Sequence, residues 1–200
     1  MCTQTAPRYR ITQTLLSAWQ YASKEGTDYD DFLRVLRREK TPPTQAMLDG
    51  IHFEGMVNAA LDGNLPEETN KLYEQVTCCA EYLAGAQKQV VIFKDIVVEG
   101  INIVLHGVLD FLRAGMIYDT KYSKTYTVGK YLESPQHPMY LALVPEAKAF
   151  EYVVCDGKYL YLERYDREDV EPIETTIKQF IRYLRKYGLW DLFCEKWRIN

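Results

Sequence analysis

The chain has 200 residues, 47% of them hydrophobic and 26% charged, and it carries a formal net charge of −4. This composition is typical of one globular domain that buries a substantial core without disulfides or a structural metal. No apolar stretch reaches the ~18 residues of a membrane span, and the first ten residues are polar and unlike a signal peptide. We therefore expect a cytoplasmic protein with no membrane partner.

The cysteine pattern gives no sign of a metal cluster. The five cysteines are scattered and contain no C-x-x-C pair, with which zinc and iron-sulfur sites commonly begin. They are Cys2, Cys78, Cys79, Cys155 and Cys194. We interpret them as free, mostly buried thiols in a reducing compartment and expect no iron-sulfur cluster.

The first third of the sequence has the apolar spacing of helices. Four helical segments are predicted, over residues 11–22, 28–37, 45–61 and 66–83. Thr12 or Ser17 begins or flanks the first, and Thr44 has the character of an N-cap for the third. Pro66, with two glutamates behind it, favours the first turn of the fourth. Residues 1–85 are thus predicted to form a helical N-terminal part.

Strands are predicted in the middle of the chain, where β-branched residues become dense. Runs 87–98, 101–112 and 116–121 are separated by short turn signals and predict a three-strand meander. Ser134-Pro135 opens a helix that reaches about residue 144. Asp156-Gly157 is a hairpin turn signal between two further strands, over 149–155 and 159–165.

Two more helices, over residues 172–187 and 189–196, end the predicted order. The whole order predicts the α/β (α+β) class, with a mixed central sheet of about five strands flanked by helices. We expect one domain over residues 1–200, with the sheet in a core of residues 86–165 and C-terminal helices over 168–198.

Two acids and one lysine lie on the second and third predicted strands. Alternate residues of a strand face the same way, so Asp119 and Lys121 share one side, and the turn at 114–115 brings Asp110 beside them. Two carboxylates and one ammonium group in a cluster predict a metal-dependent phosphodiesterase site. A surface salt bridge among the three groups is the alternative.

The acid-x-lysine pattern occurs three times, and only its context separates the copies. Glu146-Ala147-Lys148 lies in a connection, and Asp156-Gly157-Lys158 lies on a turn that needs Asp and Gly for its backbone geometry. Asp119-Thr120-Lys121 alone ends an apolar strand with a second acid on the strand before it. The third copy is therefore the candidate site.

Hydrolysis of a phosphodiester needs a nucleophilic water and compensation of the charge that develops at phosphorus. The carboxylates of Asp110 and Asp119, with the backbone carbonyl of Thr120, are the hard oxygen ligands that Mg²⁺ and Mn²⁺ prefer. Lys121 would stabilise charge on the phosphate or, with a lowered pKa, assist deprotonation of a metal-bound water.

Further residues extend this pattern on both sides. Glu54 lies in the third predicted helix, and Gln136 and Tyr140 are four apart, hence on one face of a later helix. With Gly107-x-x-Asp110 and Asp119-Thr120-Lys121 they form an ordered set that resembles the PD-(D/E)XK nuclease superfamily, nearest to its RecB-like and phage-exonuclease branch. The motifs cover about residues 50–140.

The resemblance implies a restriction-endonuclease-like core and a Mg²⁺- or Mn²⁺-dependent deoxyribonuclease. It implies six catalytic residues: Glu54, Asp110, Asp119, Lys121, Gln136 and Tyr140. It implies four metal ligands: Glu54, Asp110, Asp119 and the carbonyl of Thr120. We expect an exonuclease of phage or mobile-element DNA processing or recombination, with DNA as substrate and a phage recombination protein as a candidate partner.

Two departures from the family pattern leave choices open. Leu109 stands where the name-giving proline is found, which is common among relatives. Many RecB-like members carry a histidine in the early helix, and His52 lies two residues before Glu54; on a helix the two point in different directions, so only one can face the metal. Glu54 is favoured, since it follows Gly50 by four residues.

The net charge is unfavourable for a nucleic-acid protein, so cations must be concentrated locally. Lysines and tyrosines interleave directly after the candidate site, which suits stacking and backbone contact with DNA. The predicted DNA-binding residues are Lys124, Tyr126, Lys130 and Tyr131. A basic C-terminal stretch is more typical of a solvated helix face, and His106 is interpreted as a core histidine, with a place behind the metal site as the alternative.

Two other functions fit the same sequence. A sequence- or structure-specific endonuclease would use the same site residues. A nuclease fold that only binds nucleic acid or a protein is the alternative without catalysis, although the intact Asp110, Asp119 and Lys121 argue against it.

Overall fold

The structure, a computed structural model, describes residues 6–24 and 29–199. In these residues the helices are α1 (Gln13–Ala22), α2 (Tyr29–Leu36), α3 (Gln45–Leu61), α4 (Tyr73–Tyr82), α5 (Gln136–Leu143), α6 (Ile173–Lys186) and α7 (Trp190–Trp197). The strands are β1 (Arg8–Thr12), β2 (Gln87–Val98), β3 (Ile101–Arg113), β4 (Met116–Tyr122), β5 (Ala149–Cys155), β6 (Leu160–Asp166) and β7 (Arg198–Ile199). Cys2 and residue 28, the predicted start of the second helix, lie outside the described residues.

The described strands form one mixed sheet in the order β6-β5-β4-β3-β1-β7, with β2 paired to β3 outside this path. The β1–β3 and β4–β5 pairs are parallel and the others antiparallel. Helices flank the sheet, so the predicted mixed α/β class is confirmed. The sheet has seven strands rather than about five, because β1 and the two-residue β7 were not predicted.

The first predicted helix begins two residues late because its start belongs to β1. Ile11 and Thr12 pair with Leu105 and His106 of β3. Helix α1 then starts at Gln13, and the Thr12 side chain accepts a hydrogen bond from the amide of Leu15. Of the two residues predicted to begin or flank this helix, Thr12 is therefore the N-cap, while residues 11 and 12 are strand, not helix.

Helix α4 begins at Tyr73, not at Pro66 as predicted. Asn70 stops an earlier start, because its side-chain oxygen accepts the Leu72 amide at 2.9 Å and its carbonyl accepts the Tyr73 amide at 3.0 Å. An asparagine that bonds its own neighbours in this way favours a turn over a helix interior.

The sheet opens along one edge of β3. Strand β2 pairs with β3 from residue 101 to residue 112, so β1 and β4 must share the opposite edge. On that edge β1 pairs with residues 102–106 and β4 only with residues 111–113. Residues 107–110 therefore have no strand partner there, and β4 diverges from β3 beyond Tyr118.

Two apolar cores lie on the two sides of the sheet. The larger contains residues of α1, α2, α5, α6 and α7, and the smaller contains residues of α3 and α4. The side chains of β3 pack into different cores before and after the opening, since Leu109 belongs to the larger core and Phe111 to the smaller. Asp110 lies between them, so the candidate site is where the sheet splits and the two cores meet.

The guanidinium group of Arg167 fixes the C-terminal end of α5. It donates to the carbonyls of Leu141, Val144 and Ala147 at 2.6–2.7 Å, which are groups that a helix end leaves without internal partners.

Two further expectations concern membrane spans and cysteines. Among the described residues, none of the helices has both the length and the apolar character of a membrane span. Each described cysteine is free; Cys79 and Cys155 are buried, and Cys78 is exposed.

Candidate active site

Strand β4 carries the central pair of the site. Asp119 is 2% exposed, and its Oδ2 atom lies 2.7 Å from the Nζ atom of Lys121. The two residues share one side of the strand, as their alternation predicts. About a third of the Lys121 side chain is exposed, so the buried carboxylate has its counter-ion at the edge of the protein interior.

Helix α5 closes the opening in the sheet with the two predicted residues. The side-chain amide of Gln136 donates to Oδ1 of Asp119. One turn later the Tyr140 hydroxyl donates to the carbonyl of Val108 at 2.9 Å, which lies in the part of β3 without a partner on that edge. The helix thus holds Asp119 in place and supplies a hydrogen bond where the strand ladder is interrupted.

Gly107 permits this close approach of α5 to β3. A Cβ atom at this position would lie 2.6 Å from Cδ1 of Leu143 and 3.0 Å from Cε1 of Tyr140. The first distance is shorter than carbon atoms tolerate. The glycine of the Gly107-x-x-Asp110 motif therefore has a steric role in seating the helix.

Helix α3 brings Glu54, not His52, to the site. The fully buried Phe53 and Val57 set the rotation of the helix on the sheet. Glu54 is half-buried, and its carboxylate acts electrostatically on Asp110. His52 is exposed. The structure therefore places the glutamate, as favoured by the sequence, beside the two aspartates.

Gln89 is a hydrogen-bond partner of Glu54 that was not predicted from the sequence. Its side-chain amide donates to Oε1 of Glu54 at 3.0 Å, and its backbone has a φ of 51°. A signal for it existed, because the tight turn at residues 99–100 fixes the hairpin register. Counting back along that register sets residue 89 opposite Asp110.

Like charges are concentrated at the split. Burial raises the pKa of Asp110 well above its usual range, and the nearby carboxylates of Asp119 and Glu54 raise it further. Burial also raises the pKa of Glu54. Burial opposes the charge on Lys121, but Asp119 and Asp110 outweigh it and raise the pKa of the ammonium group.

The donor set fits a hard divalent cation by its chemistry. We call Glu54, Asp110 and Asp119 the carboxylate cluster. Oδ2 of Asp119 is buried and, among the described residues, accepts no hydrogen bond of good geometry despite the nearby ammonium group. Three crowded carboxyl groups are stabilised by a cation that prefers oxygen ligands. Within residues 6–24 and 29–199, however, no group of three or more Asp, Glu, His or Cys side chains is arranged so that it could hold a metal ion.

The predicted DNA-binding tyrosines pack against other residues of the protein. The Tyr131 ring stacks on Tyr152 with ring centres 4.5 Å apart, and the Tyr126 ring lies 4.8 Å from that of Tyr161. Both residues also bond the buried carboxylate of Glu163, through the Tyr126 hydroxyl and the Tyr131 amide. These contacts favour a structural role for the two tyrosines over base stacking, and nothing in the local sequence pointed to Glu163.

The two predicted DNA-binding lysines are exposed but have partners within the chain. Lys124 lies 2.7 Å from Oδ2 of Asp49 on α3, and the Lys130 ammonium group donates to the Ser123 hydroxyl. Contacts of exposed lysines contribute little energy, so these contacts do not exclude the predicted role of Lys124 and Lys130 in DNA binding.

His137 lies beside Gln136 but on the other side of α5, and we expect it to make stability depend on pH. Burial lowers the pKa of His137 to about 4, below the ~6.5 of an unfolded chain. The unfolded state therefore binds the proton first, so stability is full above pH ~6.5 and falls by about 3 kcal/mol towards pH 4. Urea unfolding of the wild type and of His137→Phe at both pH values checks this.

The phenylalanine variant keeps a ring in the place where His137 stacks on Tyr165. Other titrating groups affect both proteins equally, so the difference between their pH profiles isolates the imidazole. Parallel profiles would contradict the assignment.

Comparisons with known proteins support the fold. No protein-family model and no curated protein matches the chain. The crystal structure of SSO0001 is similar, with a TM-score of 0.53 and 17% sequence identity over 92% of this chain and 79% of that one. At this identity the likeness shows a shared fold alone. The fold and the site together define a mixed α/β protein with a carboxylate and lysine cluster at a split in its sheet.

Proposed function

We propose that this protein is a Mg²⁺- or Mn²⁺-dependent deoxyribonuclease of the PD-(D/E)XK type, and specifically an exonuclease. The observation that carries the proposal is the meeting of the carboxylate cluster with Lys121 at the split between β3 and β4. Three elements supply this group, α3, β3 and β4, and a fourth element, α5, supports it through the hydrogen bond from Gln136 to Asp119. A salt bridge that serves stability alone needs no such assembly.

The chain's own residues would divide the work of hydrolysis. The carboxylates of Glu54, Asp110 and Asp119, with the backbone carbonyl of Thr120, would hold the cation, which when bound supplies Lewis-acid activation of a water and of the phosphate. Lys121 would bind a phosphate oxygen, where its charge opposes the negative charge that develops in the transition state. Gln136 orients Asp119 through its hydrogen bond. Tyr140 holds the unpaired part of β3 through its hydrogen bond to the carbonyl of Val108.

The cluster is more consistent with catalysis than with binding alone. Acidic side chains repel the phosphates of DNA, so a site that only bound nucleic acid would gain nothing from three of them. The non-catalytic alternative is therefore the weaker one. Processing in phage or mobile-element recombination, with a phage protein as partner, stays a prediction from the sequence resemblance.

A digestion series tests the function directly. Purified protein is incubated with Mg²⁺ or Mn²⁺ and with end-labelled linear or covalently closed circular DNA, both single- and double-stranded. We expect linear DNA to be degraded from its ends, circles to survive, and EDTA to stop the reaction. Cleavage of closed circles would instead favour the endonuclease. If every substrate survives while a control nuclease digests it, the proposal of an enzyme is wrong.

A further inference from the structure

One face of the sheet is exposed where β1, β2 and β3 run together, and we call it the outer face. Residues that pair directly across neighbouring strands lie on the same face. The outer face comprises Arg8, Arg10 and Thr12 of β1, Val91, Phe93, Asp95 and Val97 of β2, and Asn102, Val104, His106 and Val108 of β3. Of these residues Val104 is buried. Residues that alternate with them, such as Ile11 and Leu105, are buried in the larger core.

Large apolar side chains on the outer face are in contact with solvent. Val91 and Phe93 are each 56% exposed and Val97 is 66% exposed, all on the same side of one long strand. Scattered apolar residues on a surface need no explanation, but a row of them marks a binding surface. Within the described part of the chain, more than half of each of these three residues stays open to solvent.

The centre of the outer face is a pair of stacked rings. Phe93 and His106 are cross-strand neighbours, and their rings are parallel within 11° with centres 4.4 Å apart. His106 is partly exposed, so its prediction as a core histidine is wrong. Burial and the charge of Arg10 lower the pKa of His106, which favours the neutral ring. One face of each ring is covered by the other ring, so a base would stack on the opposite face of the pair.

Arg10 supplies a positive charge beside the rings. It pairs with Val104 on β3 and acts electrostatically on His106. Arg8 is bound by Asp95 on the same face. Arg10, in contrast, has no acidic partner within 4.0 Å in the part of the chain that the structure describes, and its Nε atom makes no hydrogen bond there. Arg10 is half-buried and its Nε atom is shielded from solvent, so an anion would reach this unpaired charge at the terminal nitrogens of the guanidinium group.

The outer face leads to the carboxylate cluster. Gln89, which bonds Glu54, lies two residues before Val91 and four before Phe93 on β2. At about 3.4 Å per residue, the stacked rings begin about 14 Å from Gln89 along the strand. A few nucleotides of an extended single strand span such a distance.

We propose that the outer face binds the unpaired bases of a single DNA strand whose scissile phosphate lies at the carboxylate cluster. Bases stack on Phe93 and His106, and Arg10 binds a phosphate between them. A duplex fits less well, because its bases are not free to stack on a side chain and its phosphates need more cations than this face offers. The location of the scissile phosphate at the carboxylate cluster rests on the proposed function. Binding of a single strand to the outer face can be measured without cleavage.

Fluorescence anisotropy with a labelled single-stranded oligonucleotide tests the inference. The titration is done in Ca²⁺, and the oligonucleotide is checked for integrity afterwards. We expect the single strand to bind about tenfold more tightly than a duplex of equal length. Phe93→Ala should weaken binding of the single strand about tenfold, while Phe93→Trp retains it, as expected for stacking. Arg10→Gln should lower the salt dependence by about one phosphate contact.

Tyr159→Ala is the matched control, since Tyr159 is a 64% exposed aromatic residue near the turn between β5 and β6. It should bind like the wild type. Unchanged affinity in Phe93→Ala would overturn the proposal. The rival use of β2 is pairing of its free edge with a second copy of the chain, which sedimentation detects. The proposal is also overturned if the wild type is a dimer that Phe93→Ala dissociates, and if the affinity of each protomer for the single strand is unchanged. If the wild type binds the single strand and the variants change its affinity as predicted, but no DNA is cleaved in Mg²⁺, the stacking surface is supported. In that case only the proposal of a nuclease is refuted.

Discussion

Asp119→Asn and Lys121→Gln are each expected to reduce DNA cleavage in Mg²⁺ about a thousandfold or more, while the protein remains folded. Asparagine keeps an oxygen that accepts the Gln136 hydrogen bond but removes a charged oxygen from the carboxylate cluster. Glutamine at position 121 removes the cation 2.7 Å from Oδ2 of Asp119. Losses of this order follow when a charge that acts in the transition state is removed from a preorganised site.

The two variants should affect stability to different extents. Asp119→Asn removes the counter-ion of Lys121 but also relieves the repulsion of Asp119 with Asp110 and Glu54, so the two effects on the free energy of unfolding should largely offset each other. Lys121→Gln leaves a buried carboxylate without its counter-ion, which should lower the free energy of unfolding by about 1–3 kcal/mol. Urea unfolding without metal measures both. Loss of activity in the more stable variant cannot then be attributed to unfolding.

The chain offers its own controls in the two other acid-x-lysine triplets. Lys148 and Lys158 are exposed, one in the connection before β5 and one in the turn after it. Lys148→Gln and Lys158→Gln should cleave DNA as the wild type does. Equal activity of Lys121→Gln and these two variants would refute the role assigned to Lys121.

The centre of the site was predictable because its geometry is local. The tight turn at residues 114–115 fixes the register of β3 and β4, which sets Asp110 beside Asp119. The choice between His52 and Glu54 depends on the rotation of α3, which is set by how Phe53 packs on distant strands. Sequence spacing shows only that the two residues face different ways.

The unpredicted parts depend on contacts between segments far apart in the chain. Strand β1 has five residues and pairs with a strand more than ninety positions later, so its short polar sequence carries no local signal. Tyr126 and Tyr131 looked available for DNA because their neighbours are lysines. Their partners Tyr161, Tyr152 and Glu163 come from β5 and β6, and a single pattern of alternating residues cannot show them.

Gly107→Val is expected to lower stability by about 1–3 kcal/mol or more, and to reduce cleavage beyond what that loss explains. The added carbon atoms would meet Leu143 and Tyr140 on α5, and overpacking of a tight contact costs energy of this size. If α5 moves away from β3, Tyr140 leaves the carbonyl of Val108 and Gln136 leaves Asp119. Thermal or urea unfolding gives the first effect, and single-turnover cleavage at a temperature where the variant is folded gives the second.

A double-mutant cycle separates this contact from a general loss of packing. Gly107→Ala sets one Cβ atom 2.6 Å from Cδ1 of Leu143, and Leu143→Ala removes that methyl group at the cost of a cavity. The double variant should be more stable than the sum of the two single changes predicts, by about 0.5–3 kcal/mol. Gly50→Ala is the control, because nothing lies within 4 Å of its added Cβ atom, and alanine in a helix is favoured by about 0.5–1 kcal/mol. Strict additivity between positions 107 and 143 would show that α5 is not seated by this contact.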